Sequence, residues 1–342
     1  MAFEAVDMGN TYHGVLQQFA EGLTGDGHTW FDFEPEYAAE SVSRAMDDFA
    51  AVYGAGVLYR NARNEYAITR MKRVLTRTVL TLQEQLKKGF FAPVAYEVSF
   101  RNAEKLQDIS LGLSGEERMR LIGRIDRVDE AIVEDRVYVK VVDYKSGDKQ
   151  FDLAALYHGL QLQLVVYMDA ALAMEAKKHP EKSVLPAAML YYHVDDPTVE
   201  SATELTEEEI NEAIRNQLRT RGVVQKSTEI VKLLDSDLEG RSQVIPVELK
   251  QNGDFAARSS VLTSEDMELL SEFVNKKIRG IGREILDGKI AVNPYEKKKE
   301  SACTYCSFQK VCGFDETIPG YRKRKLEEPE DAVILERMRE EL

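Results

Sequence analysis

The chain is poor in cysteine, with only three among its 342 residues. They lie close together in the stretch CTYCSFQKVC, as Cys303, Cys306 and Cys312. An odd, clustered set argues against a disulfide framework and favours a metal site, because thiolates at such spacing reach a single ion. Three free thiols in a loosely held C-terminal segment are the alternative interpretation.

Other familiar signals are missing as well. No run of about 18 apolar residues could form a membrane-spanning helix. The N-terminal MAFEAVDMGN contains acids but no basic or long apolar segment, unlike a signal peptide. No G-x-x-x-x-G-K-[ST] loop is present, so ATP binding by that route is excluded. These absences predict a cytoplasmic protein without membrane attachment.

Basic residues are outnumbered by acidic ones, and the net charge is −14. This balance argues against a protein that coats nucleic acid nonspecifically. The stretch 60–90 is an exception, because its basic residues face only Glu65 and Glu84 in the sequence. The basic residues are Arg60, Arg63, Arg70, Lys72, Arg73, Arg77, Lys87 and Lys88. They are either a solvated helix face or a surface that follows a phosphate backbone.

The N-terminal third has helical periodicity. Apolar side chains at Tyr12, Val15, Leu16 and Phe19 predict a first helix, which also carries His13. Residues 36–89 predict further helices with a break near Gly54–Gly56 and a long amphipathic segment at 64–88.

The middle of the chain changes to strand periodicity. Alternating residues predict strands at 92–100, 119–132 and 136–147, which should form an antiparallel meander. Residues 151–176 predict a helical segment with a break at Gly159, and residues 185–197 a further strand that ends at Pro197.

The C-terminal part is predicted to be mainly helical. Thr206 and Glu209 have the spacing of a capping box, at the start of a helix that should stop at Gly222. Residues 263–288 predict a long helix with Leu270, Val274, Ile281 and Ile285 on one side. The tail from Arg322 alternates in charge and is expected to be a solvated helix or disordered.

The stretch VVDYKSG, residues 141–147, contains the first candidate for chemistry. Period two places Asp143 and Lys145 on the same face of a strand, as either a salt bridge or a catalytic pair. Asp126, in GRIDRVD, lies on the neighbouring strand. Two converging carboxylates repel each other unless a cation such as Mg²⁺ or Mn²⁺ lies between them, and Lys145 could then stabilise charge on a phosphate. The alternative is an edge salt bridge, with Asp126 paired to Arg124 or Arg127.

Four motifs carry a resemblance to a known family: GNTYH, GRIDRVD, VVDYKSG and GLQLQLVVY. Together they resemble the RecB-family branch of the PD-(D/E)XK nucleases, in particular the nuclease domains of AddB-type helicase–nuclease subunits. The resemblance implies an α/β fold of the restriction-endonuclease type, with a central mixed sheet that contains an antiparallel meander and is flanked by helices. It also implies Mg²⁺- or Mn²⁺-dependent exonucleolytic hydrolysis of single-stranded DNA during double-strand-break repair by homologous recombination.

The same resemblance implies roles for particular residues. His13, Asp126 and Asp143 correspond to the metal ligands, and Lys145 to the catalytic lysine. Gln163 and Tyr167 correspond to a Q-x-x-x-Y pair near the DNA. Without the resemblance, a satisfied or surface helix histidine is the favoured interpretation of His13, and an ordinary helix face is an equally good interpretation of Gln163 and Tyr167. Glu97, in YEVSF, is either a carboxylate that supports the metal site or a charge at a strand edge.

For the cysteines the resemblance implies a 4Fe–4S cluster whose fourth ligand precedes the helical histidine. The chain begins only twelve residues before His13, so the cluster is expected to be incomplete here. An AddA-like helicase–nuclease subunit is the implied partner, and single-stranded DNA the substrate.

The expected organisation has four parts along the chain. Residues 1–90 are a helical part of the nuclease domain with the histidine, 91–200 the catalytic core, 201–300 an elaboration of the same domain, and 301–342 the cysteine cluster with a charged tail. Two other functions stay open: a non-catalytic module that clamps DNA or a helicase, and a stand-alone RecB-like nuclease.

Overall fold

A computed structural model of the chain describes residues 5–53, 62–99, 110–112, 118–201, 203–298 and 300–342. The predicted break near Gly54–Gly56 lies outside these ranges. The chain divides into two compact units, which are described separately. The first comprises Met1–Gln107, Ile122–Phe151 and Leu164–Met267, and the second Asp108–Leu121, Asp152–Gln163 and Glu268–Leu342.

The described residues form helices and strands with the following bounds. The helices are α1 (Ala5–Gly25), α2 (Pro35–Val52), α3 (Ala62–Lys87), α4 (Leu153–Tyr157), α5 (Gln163–Lys178), α6 (Glu207–Gln217), α7 (Thr228–Leu234), α8 (Ser264–Leu286), α9 (Gln309–Cys312) and α10 (Asp331–Glu341). The strands are β1 (Ala92–Ser99), β2 (Ser110–Gly112), β3 (Arg118–Arg120), β4 (Arg124–Val133), β5 (Arg136–Lys145), β6 (Ser183–His193), β7 (Arg221–Gln225), β8 (Val261–Leu262), β9 (Tyr295–Lys297), β10 (Glu300–Ser301) and β11 (Arg324–Lys325).

The first unit is built on a six-stranded mixed sheet in the order β1-β4-β5-β6-β7-β8. Strands β1, β4 and β5 are antiparallel neighbours, whereas β5 and β6 run parallel. A parallel neighbour requires a crossover, and the chain between β5 and β6 contains α4 and α5. The predicted α/β fold, with a mixed sheet and an antiparallel meander, is confirmed.

Helices α1, α2 and α3 share a hydrophobic core with one face of this sheet. Phe19, Met46 and Leu75 from the helices are buried in the same cluster as Val142 and Tyr192 from the strands. Because side chains alternate along a strand, the residues immediately before and after Val142 point to the opposite face of the sheet. There, His179 at the end of α5 contacts Glu130 of β4.

The second unit contains α4, α10 and most of α8. The ring of Tyr157 stacks on Phe273 with centroids 5.6 Å apart, and its hydroxyl donates a hydrogen bond of 2.5 Å to Glu341. Strands β9, β10 and β11 form one small sheet, and β2 and β3 pair as another. Ile334 and Met338 of α10 are fully buried. Of the two alternatives for the tail, a solvated helix or disorder, residues 331–341 form the helix; most of its side chains are exposed, and its apolar side is buried.

Three boundaries differ from the sequence prediction. The strand expected at 119–132 is divided into β3 and β4. The capping box of Thr206 and Glu209 is present, but α6 ends at Gln217. Gly222 lies inside β7 with φ +130°, and a Cβ there would lie 2.2 Å from the carbonyl oxygen of Met189, so the glycine permits close strand pairing and does not end a helix.

Two other predictions concern single residues. The break predicted at Gly159 is confirmed, because it separates α4 from α5 with φ +83°. Strand β6 ends at His193, four residues before Pro197. No helix in the described ranges is both long and apolar enough to cross a membrane.

Candidate active site

The β4–β5 hairpin brings Asp126 and Asp143 together. Arg127 pairs with Val142 in the ladder, so the next positions along the two strands are Asp126 and Asp143. Both carboxylates are almost fully buried on the same face of the sheet. The backbone N–H of Tyr144 donates a 2.6 Å hydrogen bond to Asp126 Oδ2, which fixes the orientation of that carboxylate. The convergence expected from strand periodicity is therefore present.

His13 and Glu97 complete a group of possible metal ligands around Asp126. His13 Nδ1 lies 3.3 Å from Asp126 Oδ1 and 3.4 Å from Glu97 Oε1. One ligand atom from each of these three residues lies within 4.8 Å of the other two. Imidazole nitrogen and carboxylate oxygen suit divalent ions such as Mn²⁺ and Mg²⁺. This arrangement favours a role for Glu97 near the metal over that of a simple strand-edge charge.

Glu97 has an unusual backbone for a strand residue. Its φ is +47°, a left-handed conformation that non-glycine residues seldom adopt. Its other carboxylate oxygen lies 3.1 Å from Arg124 NH1, and its side chain is 5 % exposed. The surroundings thus hold an unfavourable backbone conformation in a position that directs the carboxylate at His13 and Asp126.

Lys145 lies directly beside Asp143. Its Nζ is 2.5 Å from Asp143 Oδ2, and it lies 5.7 Å from the centre of the Tyr191 ring. At this distance the two side chains form a salt bridge, which is one of the two arrangements that the sequence predicted for them. Lys145 remains partly exposed while Asp143 is buried, so an incoming anion can reach the ammonium.

Excess negative charge shifts the titration of the site. Burial and the charge of Asp126 raise the pKa of Asp143 to about 6, although Lys145 opposes this rise. Burial opposes protonation of His13, but its hydrogen bonds to Asp126 and Glu97 raise its pKa to about 10. The neighbouring carboxylates raise both pKa values, whereas burial adds to the rise at Asp143 and opposes it at His13.

One known protein family matches most of this chain. The PD-(D/E)XK nuclease superfamily model matches residues 2–313. The chain belongs to this nuclease superfamily. The superfamily generally uses divalent metal ions, which fits the carboxylate and imidazole groups found here.

Relatives of the chain carry a more specific name. Proteins named as a subunit of an "ATP-dependent helicase/deoxyribonuclease" are similar over nearly the whole chain. They come from Clostridium novyi (37 % identity over 98 % of this chain and 29 % of the relative), Caldanaerobacter subterraneus (36 %, 97 % and 28 %) and Acetivibrio thermocellus (36 %, 98 % and 29 %). The chain therefore spans less than a third of the length of these relatives.

Two residues expected from the superfamily motifs lie on α5. Gln163 is its first residue, and Tyr167 follows one turn later with a buried side chain. The spacing of four residues places them on the same side of the helix, as the sequence predicted. Their proposed role near DNA stays a prediction.

The basic stretch of α3 is partly neutralised by acids that are distant in sequence. Arg77 lies 3.0 Å and Arg70 3.6 Å from Asp196, and Arg73 also pairs with it. Lys72 pairs with Asp47 at 2.7 Å. Counting charges within 60–90 alone therefore overestimated the positive charge of this surface.

The cysteines belong to the second unit. Cys303 is half-buried, and Cys306 and Cys312 are exposed. The backbone N–H of Cys306 donates to the carbonyl oxygen of Cys303, so a tight turn separates the first two thiols. Thiolates are suitable ligands for iron–sulfur clusters and for zinc.

Sequence reasoning missed two neighbours of the site. Tyr191 is beside Lys145 because β6 pairs in parallel with β5, which places Tyr191 opposite Asp143. Arg124 pairs with Glu97 across β1 and β4. Strand periodicity shows which face a residue occupies, but it does not show which distant strand lies alongside.

Proposed function

We propose that this chain is a metal-dependent nuclease domain that hydrolyses phosphodiester bonds of single-stranded DNA. The observation that carries the proposal is the convergence of His13, Glu97 and Asp126 beside the Asp143–Lys145 pair. The superfamily match and the deoxyribonuclease name of the relatives support the choice of DNA as substrate. The preferred ion in this proposal is Mg²⁺ or Mn²⁺, because most of the donors are carboxylate oxygens.

Asp126 and His13 have distinct tasks as metal ligands in this proposal. A divalent ion held there would add positive charge at the scissile phosphate and lower the pKa of an attacking water. Asp126 is already oriented by the Tyr144 N–H, so it requires little rearrangement to bind. His13 is held between two carboxylates and must give up its proton to act as a ligand.

Lys145 is the group that we expect to contact substrate directly. Its ammonium is the partly exposed cation next to the buried acids, so a phosphate entering the site meets it first. There it stabilises the negative charge that grows on the phosphate oxygens as the water attacks. The ring of Tyr191 limits the positions that the ammonium can adopt.

The biological setting is part of the same proposal, and the helicase/deoxyribonuclease name of the relatives supports it. The chain would act as the exonuclease part of an AddAB-type helicase–nuclease, with an AddA-like subunit as partner, in double-strand-break repair by homologous recombination. Cys303, Cys306 and Cys312 would supply three ligands of a 4Fe–4S cluster. Gln163 and Tyr167 would help to position the DNA.

The test compares Asp143→Ala with Asp135→Asn in degradation of end-labelled single-stranded DNA. Asp135 is an exposed acid in the turn of the same hairpin, so it controls for loss of one negative charge. We expect Mg²⁺- or Mn²⁺-dependent cleavage by the unchanged chain and by Asp135→Asn, and none by Asp143→Ala. Cleavage by Asp143→Ala at the original rate would refute the site. DNA binding without cleavage by the unchanged chain would instead indicate a non-catalytic clamp.

A further inference from the structure

A second group of metal-ligand side chains lies on the same sheet face, away from the candidate active site. Glu130 of β4 meets Glu175 of α5 and His179, which directly follows that helix. Glu130 is four residues beyond Asp126 on the same face of β4, which corresponds to about 13 Å along the strand. The buried Val128 lies between them.

The distances within this group suit a single ion. His179 Nε2 lies 3.0 Å from Glu130 Oε2 and 3.8 Å from Glu175 Oε2. Ligands placed about 2.0 to 2.2 Å from a tetrahedral zinc ion are separated by roughly 3.3 to 3.6 Å, which lies between these two distances. Glu175 and His179 are four residues apart, a spacing that places two ligands on one side of a helix end.

Hydrogen bonding within the described part of the chain leaves one oxygen of this group unsatisfied. Glu175 is fully buried, and Lys178 Nζ donates to its Oε1 at 2.7 Å. Its Oε2 is buried and has no hydrogen-bond partner among the described residues. His179 Nε2 can carry only one proton, and Glu130 at 3.0 Å is positioned to accept it. One N–H cannot satisfy two carboxylates, whereas a cation between them would.

We propose that Glu130, Glu175 and His179 form a second metal site that binds one divalent transition-metal ion of the zinc class. The imidazole nitrogen and the two carboxylates are ligands that suit Zn²⁺, Co²⁺ or Mn²⁺. Glu130 and His179 remain about one-fifth exposed, so an ion and a water ligand can enter. The ion would join the C-terminal end of α5 to β4 and thus stabilise the fold. This proposal is independent of the proposed nuclease activity.

The test measures Zn²⁺ bound per chain, in a large excess of Mg²⁺, for the unchanged chain, His179→Gln and His28→Gln. His28 is the matched control, because it is an imidazole 3.6 Å from a single carboxylate, Asp32. The cysteines are present in all three proteins, so zinc bound by thiolates cancels in the comparison. We expect His179→Gln to bind one equivalent less than the other two, and Zn²⁺ to raise its Tm less than theirs.

A Co²⁺ difference spectrum between the unchanged chain and His179→Gln should show ligand-field bands without thiolate charge transfer. Equal Zn²⁺ stoichiometry in the unchanged chain and His179→Gln would overturn the proposal. In that case, the carboxyl groups of Glu130 and Glu175 would share a proton, and His179 beside them would form an ion pair. If His179→Gln does not fold, Glu175→Gln gives the same comparison, with the same two outcomes. DNA cleavage is not a readout, so failure here leaves the proposed nuclease function untouched.

Discussion

Strands β4 and β5 carry two charged clusters on opposite faces of the sheet. The buried cluster comprises Arg127, Asp129 and Lys140. Two nitrogens of the Arg127 side chain lie 2.8 and 3.0 Å from the carboxylate oxygens of Asp129, and Lys140 Nζ lies 2.8 Å from one of them. All three residues are buried. Two cations thus surround one carboxylate, so charge is balanced within the cluster, although the close pair Arg127 Nε and Asp129 Oδ1 lacks hydrogen-bond geometry.

The candidate-site cluster, comprising His13, Glu97, Asp126, Asp143 and Lys145, has the opposite balance. Carboxylates predominate, and the pKa of Asp143 is raised to about 6 by burial and by Asp126. Tyr144 contacts both clusters, since its N–H holds Asp126 while its hydroxyl accepts from Arg127 at 3.3 Å. Adjacent residues of one hairpin therefore serve different purposes. Cations that match buried acids indicate a structural role, and an excess of acids is typical of a functional site.

The largest effect should come from the same substitution made on each face. Asp129→Asn leaves Arg127 and Lys140 buried without a counter-ion, so we expect a loss of about 3–5 kcal/mol in the free energy of unfolding. Asp143→Asn removes repulsion from Asp126 and leaves only a partly exposed lysine, so its change should stay within about 1 kcal/mol. Urea unfolding followed by circular dichroism measures both. Equal losses would show that the two clusters do not differ as described.

Two lysines of β5 offer a second comparison, in which the residue on the candidate-site face should have the larger effect, this time on cleavage. Lys145→Met removes the cation expected to contact the phosphate, so kcat should fall about 10²- to 10³-fold with Tm nearly unchanged. Lys140→Met keeps a similar shape on the other face, where Arg127 still binds Asp129. It should retain cleavage and lose no more than about 2 kcal/mol of stability. Single-turnover cleavage and thermal unfolding of both variants check this, and a loss of activity in Lys140→Met alone would reverse the assignment.

Much of this hairpin could be predicted from sequence, because alternation places Asp126, Asp143 and Lys145 on one face whatever surrounds them. The parallel pairing that brings Tyr191 to Lys145 could not, since β6 is separated from β5 by two helices. The unusual φ of Glu97 has no local signal either, because glutamate is not a residue that marks left-handed backbone. The burial of Ile334 and Met338 in α10 could not be predicted either, because the alternating charges of the tail indicate a solvated helix or disorder.

Glu97 has features of both clusters, so it tests whether the distinction between them also holds for an intermediate case. It approaches His13 as a ligand would, yet Arg124 neutralises it as in a structural pair. If it helps to bind the ion, Glu97→Gln should raise the Mn²⁺ concentration for half-maximal cleavage about 10- to 100-fold. At saturating Mn²⁺ the rate should largely recover. An unchanged Mn²⁺ requirement would assign Glu97 to the structural group.

The smallest effect concerns the pH dependence of the buried cluster. Burial lowers the pKa of Lys140, although Asp129 opposes this. Between that lowered value and the ordinary value of about 10.4, the unfolded chain binds more protons at Lys140 than the folded chain does. The free energy of unfolding of the unchanged chain should therefore rise with pH, relative to Lys140→Met, across this window. Below the window both states are protonated and the difference is constant. Denaturant unfolding of the two proteins from neutral to alkaline pH measures it, and a difference that moves the other way would mean that Asp129 outweighs burial at Lys140.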